Sequence, residues 1–134
     1  MTDDSKLDQI AYSMEILKQQ MGEVRDQEQS LALVLQDILN SLNFLRNISG
    51  VEGDSLIPIG RGLYVVGDIK DKDRVMVDIG TGAYKKTKVD DALSILEDRR
   101  VEISRALENA RKSEEEIQRR YLQLEDYLNR VYQK

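Results

Sequence analysis

The sequence predicts an α+β fold in which a long antiparallel α-helical coiled coil carries a central segment of short β-strands. Apolar residues recur every seven positions in both flanks of the chain, which is the spacing of a coiled-coil seam. Seven of the eight glycines and the only proline lie between Gly50 and Gly82, so the flanks lack helix breakers over long distances. Within that middle stretch, short runs alternate apolar and polar residues with the two-residue period of a strand.

The N-terminal flank, residues 1–48, is predicted to form the first helix. Its apolar residues hold two heptad positions over six heptads, and only Glu28 interrupts them. A single amphipathic helix lying on a globular core would instead follow a period of 3.6 residues with a wider apolar stripe. The seam residues are Leu7, Ile10, Met14, Leu17, Met21, Val24, Leu31, Leu35, Ile38, Leu42 and Leu45.

The C-terminal flank, residues 89–134, is predicted to form the second helix. It repeats the heptad pattern, with Arg100 and Glu114 as the exceptions. The residues from Thr87 to Asp90 match a capping box, so we expect the Thr87 side chain to cap the first turn and Asp90 to reach back to it. The seam residues are Val89, Leu93, Leu96, Ile103, Leu107, Ala110, Ile117, Tyr121, Leu124, Leu128 and Val131.

The two seams are of equal length and are joined by a short middle segment. They can bury each other's apolar residues only if the helices run antiparallel. In the register that joins the helices next to the β segment, Glu28 and Glu114 fall in neighbouring seam layers, and Gly22 is close by in sequence. Two interpretations are open. In the first, these layers form a soft point where the helices bend or splay. In the second, Arg25 and Arg111 neutralise the two glutamates at a solvated edge of the seam.

The middle segment, residues 49–88, is predicted to contain four strands that need a partner. Each strand has an apolar face, but four short strands cannot bury these faces alone. Pro58 has no N–H for a ladder, so its strand should lie at an edge or carry a bulge. Uncovered faces and unpaired edges therefore imply partner subunits that complete a larger sheet or barrel. The predicted strands are residues 55–59, 63–70, 74–79 and 83–88.

Composition and motifs argue for a binding protein and against an enzyme. Histidine, cysteine and tryptophan are absent, which removes imidazole and thiolate catalysis and the usual zinc ligands, and we expect no cofactor. The Gly-x-Gly turns at 60–62 and 80–82 precede neither a helix nor a Gly-Lys-Ser/Thr triplet, so positive-φ hairpin turns explain them better than phosphate binding. A net charge of −5 disfavours nucleic acid, no apolar run is long enough for a membrane, and the acidic start is unlike a secretion signal, so a cytoplasmic protein is expected.

The β segment carries a family resemblance. The stretches 56–60, 62–67 and 77–82, which read Leu-Ile-Pro-Ile-Gly, Gly-Leu-Tyr-Val-Val-Gly and Val-Asp-Ile-Gly-Thr-Gly, lie between two heptad-patterned helices. This arrangement closely resembles the alpha-class subunit of prefoldin of the archaeal type. One departure is the sequence of residues 83–86, where relatives often place a bulky residue directly after the Gly-Thr-Gly turn.

The resemblance implies two central β-hairpins that join an oligomeric β-barrel in a hexamer of two alpha and four beta subunits. It also implies an ATP-independent chaperone that holds unfolded client proteins at the outer ends of its coiled coils and passes them to a group II chaperonin. The residues expected to make the subunit assembly are Leu56, Ile57, Ile59, Leu63, Val65, Ile69, Val75, Val77 and Ile79.

The outer ends of the two helices are the expected client-binding tips. If the last turns of the helices fray, the seam residues there become exposed and form an apolar stripe that can bind a client. In the alternative interpretation, the same residues stay paired and close the coiled coil to its end. The tyrosines outside the seam are the better candidates for client contact, because a tyrosine combines an apolar ring with a polar group. The tip candidates are Leu7, Ile10, Tyr12, Met14, Leu17, Tyr121, Leu124, Tyr127, Leu128, Val131 and Tyr132.

A different function remains open for the same architecture. The β segment could polymerise into filaments, with the helices acting as spacers in a structural scaffold. The sequence does not decide between a closed hexamer and an open filament, because strand edges set the geometry of assembly.

Overall fold

The computed structural model describes residues 2–133, and side chains from Asp4 onward. Helix α1 spans Thr2–Arg46 and is followed by a 3-10 turn at Ile48–Gly50. Four strands come next, and helix α2 spans Val89–Tyr132. The strands are β1 (Asp54–Gly60), β2 (Leu63–Asp68), β3 (Arg74–Gly80) and β4 (Ala83–Lys88). The predicted class of two long helices with two β-hairpins between them in sequence is confirmed.

The chain forms two compact units, a helical unit of residues 1–35 and 102–134 and a head unit of residues 36–101. In the helical unit the predicted seam residues are half-buried or buried, and Leu17, Leu107 and Ala110 are the most buried of them. Val131 is the exception and is exposed. The 3.5-residue period therefore identified the buried stripe of both helices within this unit.

The head unit has its own apolar core. Leu45 near the end of α1, Ile48 in the 3-10 turn and Ala92 near the start of α2 form a buried cluster. Side chains from strand β3, from the segment before it and from the first turns of α2 pack against this cluster, so the head unit partly covers its own helices. The packed residues are Ile69, Val75, Val77, Val89, Leu93 and Leu96.

The four strands form two separate antiparallel hairpins, β1–β2 and β3–β4. The register of the first hairpin shifts between Pro58 and Gly60, so the proline lies beside a bulge as expected. The second hairpin shifts in the same way between Asp78 and Gly80, so the bulge does not depend on a proline. Gly62 in the first turn, and Gly80 and Gly82 in the second, adopt positive φ as predicted. The expectation was wrong for Gly60, whose φ is not in the left-handed region.

The start of α2 differs from the predicted capping box. The buried Thr87 hydroxyl donates a hydrogen bond to the Lys85 carbonyl at 3.2 Å, inside strand β4. The Val89 N–H donates to the Asp73 carbonyl at 3.0 Å. Because β4 runs directly into the helix, Thr87 belongs to the hairpin and the carbonyl before β3 supplies the acceptor that a cap would have provided.

Candidate functional site

Exposed tyrosines lie at both ends of the chain within the helical unit. Tyr12 of α1 is 70% exposed and Tyr132 of α2 is 74% exposed. Tyr127 is also exposed, and the Lys6 Nζ lies 5.4 Å from the centroid of its ring, which is a cation–π distance. These three predicted tip residues are exposed without any opening of the seam.

The other predicted tip residues belong to the paired seam. They are half-buried or buried along α1 and α2, except for Val131, which is exposed. In the closed coiled coil they therefore offer a partner only part of their apolar surface. The half-buried or buried residues are Leu7, Ile10, Met14, Leu17, Tyr121, Leu124 and Leu128.

A shallow groove of about 310 Å³ opens beside this part of the seam. Its apolar lining comes from Leu17 and Met21 of α1 and from Tyr121 and Leu122 of α2. Leu122 is 52% exposed and was not among the sequence-predicted residues, because it lies outside the two seam positions. An apolar residue at an outer heptad position was the signal that could have found it.

The first hairpin, β1–β2, is apolar on both faces and both faces are exposed. The register places Leu56 opposite Val66 on one face, and Ile57 opposite Val65 on the other. Exposure of all four side chains means that neither face is covered within the head unit. The predicted assembly residues of this hairpin, including the exposed Ile59 and Leu63, are therefore free for a partner.

The second hairpin, β3–β4, has two different faces. Val75 and Val77 pack against the head core, as does Ile69 before the strand, so these three predicted assembly residues already have partners inside the chain. The opposite face presents exposed cations beside Met76 and Tyr84, whereas the predicted assembly residue Ile79 is exposed near the turn. The cations are Arg74, Lys86 and Lys88.

An apolar groove of about 520 Å³ lies between the second hairpin and the two helices of the head unit. Phe44, Met76 and Ile95 line it and remain exposed, and Asp78 and Arg99 add polar groups to it. Phe44 stands at an outer heptad position of α1, where an isolated coiled coil would carry a polar residue.

The two seam glutamates meet in the helical unit. The prediction placed them in neighbouring layers, and in the structure the Glu28 and Glu114 carboxyl groups lie close enough for one to hydrogen-bond to the other. Side chains on a helix point toward its N-terminus, so in an antiparallel pair two long side chains from neighbouring layers lean toward each other. Arg25 Nε donates to Glu114 Oε1 at 3.3 Å.

This contact shifts the pKa values of the two carboxyl groups in opposite directions. The Glu114 contact, followed by burial, raises the pKa of Glu28 above its ordinary value of 4.5. The same contact, together with the hydrogen bond from Arg25, lowers the pKa of Glu114 below 4.5. The two carboxyl groups therefore lose their protons at different pH values, Glu114 before Glu28.

The described residues contain neither a metal-binding cluster nor a membrane-spanning helix. Among residues 2–133, no group of three or more acidic, histidine or cysteine side chains is placed to hold a metal ion. Neither helix, over its described length, is apolar enough to cross a membrane.

Comparisons with known proteins agree with this architecture. A family model described as prefoldin subunit matches residues 10–134. Prefoldin subunit alpha from Pyrococcus horikoshii is 27% identical over 134 residues, covering 98% of this chain and 90% of the relative. Prefoldin subunit alpha 1 from Thermococcus kodakarensis is 31% identical over 100 residues, covering 72% of this chain and 68% of the relative.

A solved structure has the same fold. The cryo-EM structure of filamentous PFD from Methanocaldococcus jannaschii matches with a TM-score of 0.67 at 20% identity, covering 90% of this chain and 98% of that chain. The family match over most of the chain and the named relatives agree with the two heptad-patterned helices and the two hairpins. The chain therefore belongs to the prefoldin family, as a subunit of the archaeal alpha type with a chaperone-type function.

Proposed function

We propose that the chain is a subunit of an ATP-independent holdase that captures unfolded polypeptide at its coiled-coil tips and passes it to a group II chaperonin in the cytoplasm. In this proposal two copies assemble with four beta-class prefoldin subunits, and the chain has no enzymatic activity. The observation that carries the proposal is the exposure of Tyr12, Tyr127 and Tyr132 on the helical unit.

The chemistry of these tyrosines fits an unfolded client. An unfolded chain exposes scattered apolar side chains together with backbone N–H and C=O groups, and a tyrosine ring with its hydroxyl can contact both. Leu122 and the groove beside it add apolar surface near the same seam. Each contact is weak, so several tips acting on one client provide the avidity that a single tip lacks.

The first hairpin supports the assembly part of the proposal. Its two exposed apolar faces and its unpaired strand edges require cover in a soluble complex. Leu56, Ile57, Ile59, Leu63 and Val65 are the contacts that we propose there. Ile79 joins them from the second hairpin, whereas Ile69, Val75 and Val77 contribute mainly by holding that hairpin on its own helices.

The test is light scattering from a chemically denatured client diluted into the complex of this chain with a beta-class subunit, without ATP. We expect the native complex to suppress aggregation. A triple variant, with Tyr12, Tyr127 and Tyr132 each changed to Ser, should assemble normally and suppress aggregation much less. The matched control changes two exposed apolar residues away from the tips, Leu33→Ser and Val34→Ser, and should retain activity.

Two outcomes would contradict the tip assignment. One is a triple tyrosine variant that protects the client as well as the native complex does. The other is a control variant that loses protection to the same extent while remaining assembled. A complex lacking residues 1–17 and 121–134 that still suppresses scattering would exclude the tips altogether.

A second candidate function is that of a filament or scaffold subunit. The observation that favours it is the fold match to a PFD that is filamentous, together with a first hairpin that is uncovered on both faces. Light scattering coupled to size-exclusion chromatography separates the two cases. A single closed mass supports the hexamer, and a concentration-dependent series of masses supports the filament.

A further inference from the structure

The contact between Glu28 and Glu114 interrupts an otherwise apolar seam in the helical unit. Glu28 is half-buried, and its Oε1 atom is fully buried with no hydrogen-bond partner among the residues that the structure describes. A buried acceptor without a donor destabilises the closed state, because opening returns the atom to water.

The surrounding cations compensate the two carboxylates unequally. The charged groups that act on the pair are Arg25 from α1 and Arg111 from α2. Arg25 donates to Glu114, whereas both arginines act on Glu28 only through their charge and leave its Oε1 without a donor. Arginine therefore supplies a hydrogen bond to Glu114 but only charge to Glu28, and the choice between a soft point and neutralisation depends on Glu28.

A single proton on the pair decides whether the two carboxyl groups repel each other or form a hydrogen bond. When both groups are ionised, two carboxylates face each other and neither has an N–H or O–H to offer. A proton on Glu28 turns its carboxyl group into a donor toward Glu114, which remains paired with Arg25. The layer therefore has a closed, singly protonated form and a repulsive, fully ionised form.

We propose that the Glu28–Glu114 layer is an opening point of the coiled coil, held closed by one shared proton and loosened when that proton is lost. Opening there exposes adjacent seam residues such as Val24 and Leu31. Gly22 lies nearby on α1, and a Cβ added there would meet open space, so no packing contact requires a glycine. A glycine inside a helix weakens it locally. The opening point is a property of the helices and does not depend on the proposed function.

The direction of the pH dependence follows from the two shifts. Because the pKa of Glu28 is raised, its stabilising contribution is complete below 4.5 and is lost as the pH rises through its folded-state pKa. Because the pKa of Glu114 is lowered, its contribution is present above 4.5 and is lost as the pH falls through its folded-state pKa. The layer is therefore most stable in a window that straddles 4.5, and it loosens toward neutral pH.

Native-state hydrogen exchange on the full chain in its complex tests the proposal. Protection factors, corrected for the intrinsic pH dependence of exchange, are compared at mildly acidic and neutral pH for segments 24–31 and 110–117, with segment 14–21 as the internal reference. We expect protection in the first two segments to fall severalfold toward neutral pH relative to the reference. Glu28→Gln, which supplies an amide donor and cannot ionise, should abolish that fall.

Two control variants separate protonation from general stability. Glu23→Gln removes an exposed carboxylate from the same helix and should leave the pH dependence intact. Gly22→Ala should raise protection at both pH values and also keep the pH dependence. The proposal is overturned if the native complex shows equal protection at both pH values, or if Glu28→Gln retains the native pH dependence.

Discussion

Leu42 offers a direct measure of how much the seam stabilises the head unit, because it is the largest fully buried side chain among the described residues, at 1% exposure. The substitution Leu42→Ala removes three carbon atoms, which at about 0.8 kcal/mol per buried methylene costs roughly 2.4 kcal/mol in lost burial. The cavity that remains adds a further term, so we expect a total loss near 3 kcal/mol in the free energy of unfolding.

The measurement is urea denaturation followed by far-ultraviolet circular dichroism, at one fixed protein concentration because assembly contributes to apparent stability. Leu122→Ala is the matched control, since it deletes the same atoms from a side chain that is 52% exposed. We expect it to lose about 1 kcal/mol or less, in keeping with the smaller burial. Equal losses for the two variants would refute the argument that burial at the seam determines stability.

Three further predictions concern single positions and use the same denaturation assay. Gly62→Ala places a side chain at φ +74° in the first hairpin turn and should destabilise the protein by about 1 kcal/mol, and no change would contradict the strained turn. Ala92→Leu overfills the head core, where Ala92 is 1% exposed, and should cost about 1–3 kcal/mol, whereas a stabilised variant would reveal an unfilled cavity. The pKa of Asp71 lies below its ordinary value of 3.8, first because its carboxylate accepts the Asp73 N–H and also because it accepts the Arg74 N–H. The stability that it contributes is present above 3.8 and lost as the pH falls through the folded-state pKa, so Asp71→Asn should flatten the acid limb of the stability curve, and an unchanged limb would contradict this.

Periodic patterns made most of the fold predictable. The seam of each helix follows from a seven-residue repeat that is written into the local sequence, and only Val131 at the end of α2 departs from it. The strands follow from two-residue alternation between glycine-rich turns. The predicted strand ends were less accurate. The second strand was predicted to reach residue 70, but β2 ends at Asp68, and Ile69 packs against the head core.

Features that depend on three-dimensional neighbours were not predictable. Thr87 fits a capping box in sequence, but a carbonyl from Asp73 reaches the helix start first. The contact of Glu28 with Glu114 depends on the direction in which long side chains lean across an antiparallel pair. Which apolar strand residues face their own helices, as Val75 does, is decided by how each hairpin docks and not by alternation alone.

The two-faced character of the first hairpin bears on how its strands keep their alignment. Sliding one strand by a single residue normally moves an apolar set into water, and that penalty fixes strand alignment in most sheets. Here a slip exchanges one apolar face for another, so hydrophobicity gives little discrimination between alignments. Both hairpins have a bulge beside a glycine turn, so these local features must fix the alignment of the first hairpin by themselves. In the second hairpin burial adds to them, because Val75 and Val77 pack against the head core and the opposite face carries cations.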